Sequence, residues 1–171
     1  MSIRNLYFTL MLLVPLAGAA AETKPCSMPE HRQFDFWLGK WTAFSKDGDR
    51  QGENHLHQIM DGCAVQENWK SARGPYRGTS YNFYDAVSDK WYQTWVDNRG
   101  GHLFLKGGWN GTSMQLSGSR TTAEGNSVID RITWTPLDDG RVRQHWQASE
   151  DGGETWKEVF DGYYEREDGE N

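Results

Sequence analysis

Glu67 lies in the run Asp61-Gly62-Cys63-Ala64-Val65-Gln66-Glu67-Asn68-Trp69, whose alternation puts Val65, Glu67 and Trp69 on one face of a strand. The same mixture recurs where Trp91, Gln93 and Trp95 share a face, and again where Val142, Gln144 and Trp146 do. If these faces point inward, they surround a space with one acid and two amides among indole rings. Such a lining orients a ligand through few polar contacts. A Glu67 stripped of water gains pKa and can serve as general acid or base, with Arg131 on another strand as its buried counter-charge. The alternative is an internal hydrogen-bond network that serves stability alone. The expected ligand-lining set is Trp41, Glu67, Trp69, Tyr81, Gln93, Trp95, Arg131, Gln144 and Trp146, with Glu67 the one catalytic candidate.

Other residues could do different chemistry. Glu53-x-His55-x-His57 sets three metal-ligating types on one strand face, a set suited to zinc, copper or iron, or equally to an exposed polar face. His145 is the best axial candidate for a haem reading. Ser149-Glu150-Asp151-Gly152-Gly153-Glu154-Thr155-Trp156 matches the Asp-box hairpin pattern, Ser-x-Asp-x-Gly-x-Thr-Trp. One copy cannot make a propeller, so this is a turn in which Asp151 accepts backbone N–H groups and Trp156 packs beneath. There is no nucleophile elbow, phosphate-binding glycine loop or CxxC, and no cofactor is called for.

These side chains need strands to hold them. Period-two runs punctuated by Gly, Asp and Asn predict strands over 40–46, 52–60, 63–71, 77–85, 90–97, 102–109, 113–121, 127–135, 140–149 and 155–165. Asp61-Gly62, Asn110-Gly111 and Asp138-Asp139-Gly140 are hairpin chemistry. Ten strands in a meander leave two open edges unless the sheet closes, so the expected fold is an all-β, antiparallel up-and-down barrel. A short helical plug over Pro29 to Leu38 closes one end; a β-sandwich is the alternative. Beyond residue 21 the chain has 15 Leu, Ile and Val but 21 Phe, Tyr and Trp, so the core is built from rings.

Residues 1–21 read as a signal peptide: Arg4, an apolar stretch from Leu6 to Leu16, then small residues to Ala21, too short for a membrane span. The expected division is an arm and short helix at 22–39, the barrel at 40–166 and a disordered tail at 167–171. Without Arg4 the balance is 17 basic against 24 acidic residues, which disfavours nucleic acid and anionic membranes as partners. Periplasmic or secreted location makes a Cys26–Cys63 disulfide the favoured reading over two free thiols. It would close a loop of about 38 residues and stabilise by about 4 kcal/mol.

Phe34-Asp35-Phe36-Trp37-Leu38-Gly39-Lys40-Trp41 contains a Gly-x-Trp after a helical turn, which resembles the opening signature of the lipocalin and wider calycin superfamily. Together with Asp61 to Trp69, Gly78-Thr79-Ser80-Tyr81-Asn82-Phe83-Tyr84-Asp85 and Trp91-Tyr92-Gln93-Thr94-Trp95-Val96-Asp97, it is similar to an uncharacterised secreted bacterial family with a lipocalin-like barrel. The resemblance implies a fold and no particular activity. In lipocalins an arginine covers the Trp; Arg143 and Arg166 are both candidates for that role. The functional expectation is a binding protein for a small hydrophobic or aromatic ligand, bounded by Trp41, Trp69, Trp95 and Trp146. Its rivals are sugar stacking on exposed Trp37, Trp109 or Trp156, an enzyme using Glu67, and a filled structural barrel.

Overall fold

A computed structural model describes residues 24–167. The expected signal peptide at 1–21, and 168–171 of the expected tail, lie outside the described residues. Ten antiparallel strands follow one another around a closed barrel: β1 (Gly39–Ser45), β2 (Arg50–Ile59), β3 (Ala64–Ser71), β4 (Arg77–Asp85), β5 (Lys90–Asp97), β6 (His102–Trp109), β7 (Met114–Thr121), β8 (Ser127–Pro136), β9 (Val142–Ser149) and β10 (Lys157–Arg166). Each strand pairs with its sequence neighbours, and β1 meets β10 with Trp41 opposite Arg166, so no edge is left open. The sandwich is excluded. Every predicted strand is present within two residues at each end.

Two 3₁₀ turns, Pro29–Arg32 and Asp35–Trp37, lie across the end where β1 begins. Phe34 stacks on Trp37 with centroids 5.2 Å apart and meets Trp91 and Trp134 edge-on at 5.5 and 5.4 Å. Trp37 also packs on Trp134 and Tyr164, at 5.2 and 5.7 Å. The Trp41 indole N–H donates to the Trp37 carbonyl at 2.9 Å, which ties the plug to the first strand. The aromatic opening of the domain is therefore a solid stopper.

Arg166, not Arg143, covers Trp41: its guanidinium lies 4.2 Å above the ring and donates to the Leu38 carbonyl at 2.8 Å. Arg143 instead faces outward and grips Asp161 with two hydrogen bonds of 2.8 and 2.7 Å. Gly39 has φ +120°, and a Cβ there would run into the Arg166 guanidinium, so the bend into β1 requires glycine. Cys26 and Cys63 are joined, which fastens the arm to the β2–β3 turn at the stoppered end. Arg32 adds a hydrogen bond to the Gly62 carbonyl.

Candidate functional site

Opposite the stopper the lumen opens. A cavity of about 530 Å³ runs from Glu67, Gln144 and Tyr164 in the interior to a mouth formed by Ser71, Tyr76, Asp97 and His102. That volume falls in the range of small-molecule sites, roughly 300–1,000 Å³. Trp69, Trp95, Trp134 and Trp146 supply its walls. Their placement follows from strand parity and from glycine on the neighbouring strand. Gly78 has no side chain because the Trp95 ring occupies the space where a Cβ would stand. On β10 an irregularity between Glu158 and Phe160 adds Val159 to the strand, after which Phe160 lines the lumen opposite Trp146.

Six of the nine expected lining residues do line the cavity: Glu67, Trp69, Gln93, Trp95, Gln144 and Trp146. Trp41 is fully buried in the stopper and does not line this cavity. Tyr81 points outward and is 46% exposed, because Ser80 and Asn82 take the inward positions of β4. Arg131 also points outward. Val128, Asp130, Ile132 and Trp134 are the inward residues of β8, and the Arg131 guanidinium stacks 3.8 Å from the Trp156 ring and donates to Gln147. It cannot neutralise Glu67 across the sheet.

Glu67 is 5% exposed, and its hydrogen-bonding partners are neutral. Asn54 Nδ2 donates to Oε1 at 2.8 Å and Ser80 Oγ to Oε2 at 2.6 Å. Behind them, Gln93 Nε2 donates to Asn82 Oδ1 at 2.8 Å, and Asn82 Nδ2 donates to Ser80 Oγ at 2.9 Å. The relay runs from Gln93 through Asn82 and Ser80 to the carboxylate, with Asn82 Nδ2 also donating to the Val65 carbonyl at 3.2 Å. Burial nevertheless raises the Glu67 pKa, outweighing the Ser80 and Asn54 bonds that lower it. The Tyr164 hydroxyl, which donates to Gln144 Oε1 at 2.6 Å, is raised well above its ordinary value by burial and then by the Glu67 charge.

A carboxyl that holds its proton more tightly when folded contributes most to stability below the ordinary carboxylate range. That contribution is lost as pH rises through the elevated value. In Glu67→Gln the titration is gone, and Asn54, whose Oδ1 has no partner, can turn its amide to receive the new N–H. Stability of the variant relative to the parent is therefore expected to improve steadily from pH 4 to pH 8. Parallel urea midpoints across that range would refute this.

Sequence reasoning passed over the ion pair of Arg120 and Asp130. Asp130 is fully buried on β8; Arg120 Nε donates to its Oδ2 at 2.6 Å and the Trp146 indole N–H to its Oδ1 at 2.8 Å. Asp97, on the rim, has its pKa raised by burial but lowered further by N–H groups of Arg99 and Gly101, the Tyr76 hydroxyl and Trp95, so it stays below the ordinary carboxylate value.

The metal candidates do not converge. Glu53, His55 and His57 lie on the outer face of β2, with Glu53 held by Arg50 at 2.6 Å and the two imidazoles 5.0 Å apart. Among the described residues, the one triplet of ligand atoms within 4.8 Å of each other is His145, Glu158 and Asp161, also on the outside. Arg143 and Lys46 already occupy its two carboxylates. With His145 outside, it cannot serve as an axial ligand in the lumen. Nor do the tryptophans form a sugar platform: Trp37 is buried, Trp109 packs on Phe36 at 5.6 Å, and Arg131 covers Trp156. The Asp-box turn is present as a turn. Asp151 accepts from the Thr155 N–H and hydroxyl and from Ser149, contacts that hold its pKa far below the usual value.

A scan against protein-family models finds no match to this chain, and a search of curated proteins finds no relative.

Proposed function

We propose that this protein binds a small apolar or aromatic molecule in the tryptophan-walled lumen, in the periplasm or outside the cell. The observation that carries the reading is the contrast between the two ends of one barrel. Rings pack solidly around Trp37 at the base, whereas the rings above it border about 530 Å³ of space. A purely structural barrel has no use for that difference, since filling the space with larger side chains would stabilise it. Location is supported by the disulfide and by the leader-like opening of the sequence. None of the described helices is long and apolar enough to cross a membrane. Gly39 and Trp41, with Arg166 over the ring, support the likeness to calycin barrels. Catalysis by Glu67 gains no support, because its hydrogen-bond partners are Asn54 and Ser80 rather than a basic side chain.

Titration with an uncharged hydrophobic dye such as Nile red is expected to give a saturable change in tryptophan fluorescence. Trp146→Ala removes one wall and the Asp130 contact that orients it, so affinity should fall at least about tenfold, or 1.4 kcal/mol. A panel of apolar and aromatic probes that gives no saturable response would end this reading.

A further inference from the structure

Resting on that reading, we propose that the lumen selects ligands bearing a positive charge, a protonated amine or quaternary ammonium on an apolar or aromatic body, with Glu67 as the counter-ion. Glu67 lines the cavity while almost wholly buried, and among the described residues no Lys, Arg or His makes an ion pair with it. A buried carboxylate without a cation is costly and is normally paired. The protein has gone only halfway: Asn54 and Ser80 donate to one oxygen each, and the Gln93–Asn82–Ser80 relay orients its dipoles toward the charge. Neutral donors stabilise an anion without cancelling it. Burial makes the free carboxyl hold its proton, and an ammonium group entering the cavity beside it supplies the missing charge and favours the ionised form of Glu67.

The charge balance of the lining points the same way. Two carboxylates border the space, at Glu67 and Asp97, against the single guanidinium of Arg120, which the buried Asp130 behind the wall already engages. Asp97 at the mouth is kept ionised by the N–H groups around it, so an entering ligand meets negative charge at the rim. Trp69, Trp95, Trp134 and Trp146 line the same cavity. Indole is the ring that attracts cations most strongly, and a carboxylate combined with several aromatic faces is the chemistry that recognises ammonium groups. An anionic ligand would face repulsion from Asp97, and a neutral apolar one would leave Glu67 without its missing partner.

The test compares three probes of nearly equal shape by calorimetry and tryptophan fluorescence: phenyltrimethylammonium, its neutral carbon isostere tert-butylbenzene, and 4-tert-butylbenzoate. The cation is expected to bind the unaltered protein at least about tenfold tighter than the neutral isostere, and the anion weakest. Glu67→Gln should erase that preference, and circular dichroism with a urea series shows that the variant is folded. Equal or tighter binding of the neutral probe by the unaltered protein overturns the inference but leaves the ligand-binding reading standing. So does a cation preference that survives in Glu67→Gln. Failure of all three probes to bind overturns both.

Discussion

Trp37→Ala is expected to lower the free energy of unfolding by about 3–5 kcal/mol, the range for deleting a large aromatic side chain from a packed interior. Its ring is 1% exposed and touches Phe34, Trp134 and Tyr164, which come from the arm and from the two strands that flank β9. No small rearrangement can bring those partners together, because each is fixed by a strand of a closed barrel or by the arm that the disulfide anchors. The variant should also weaken ligand binding. Trp134 rests on Trp37 from below and lines the cavity from above, so a hole beneath it lets the cavity floor sink. Circular dichroism in a urea series measures the first effect without relying on tryptophan emission, and probe titration measures the second. Trp109→Ala is the comparison, because its ring is only partly buried and packs on the rim of the stopper at Phe36. A loss below about 1 kcal/mol for Trp37→Ala would mean that the FDFWLGKW segment is not a structural stopper.

Strand positions were legible because alternation and turn residues are local signals, and the neighbour-to-neighbour order of a meander needs nothing more. Which face of each strand points inward is a different question, and there local reading separated into successes and errors. On β3, β5 and β9 the rings and the polar residues named as a set do face the lumen. On β4 the pattern is inverted: Gly78, Ser80 and Asn82 turn inward, and the aromatic face with Tyr81 and Phe83 turns out. That outer face is itself structured, since Phe83 stacks on Tyr92 with centroids 5.5 Å apart. The reason lies across the sheet. Ser80 sits directly opposite Glu67, and a buried carboxylate needs donors more than it needs another ring. Hydrophobicity could not reveal that, because the requirement belongs to the neighbouring strand. On β8 both faces carry β-branched residues, and Asp130 looks like a surface residue until its partners are known. Val128, Ile132 and Trp134 at its own parity were the available clue. Arg131 was then placed on the wrong side by the same ambiguity.

Arg120→Met is expected to cost about 3 kcal/mol at neutral pH, the lower part of the range for breaking a buried pair from one side. The lower part applies because the Arg120 side chain is 37% exposed and part of its charge already reaches water, whereas Asp130 is fully enclosed. Met fills similar volume along the same path, so what is lost is the charge and one hydrogen bond of 2.6 Å rather than packing. Asp130 would keep only the Trp146 N–H, a neutral donor that cannot cancel an anion. Adding Asp130→Asn to Arg120→Met should recover stability, since an amide no longer needs a counter-charge and its oxygen can still receive the indole N–H. A double-mutant cycle from urea unfolding at neutral pH separates these contributions. Because Asp130 also fixes the indole of Trp146, the wall of the cavity and the stability of the barrel are tied to one carboxylate. If Arg120→Met leaves stability unchanged, the pair is a surface contact and Trp146 is positioned by packing alone.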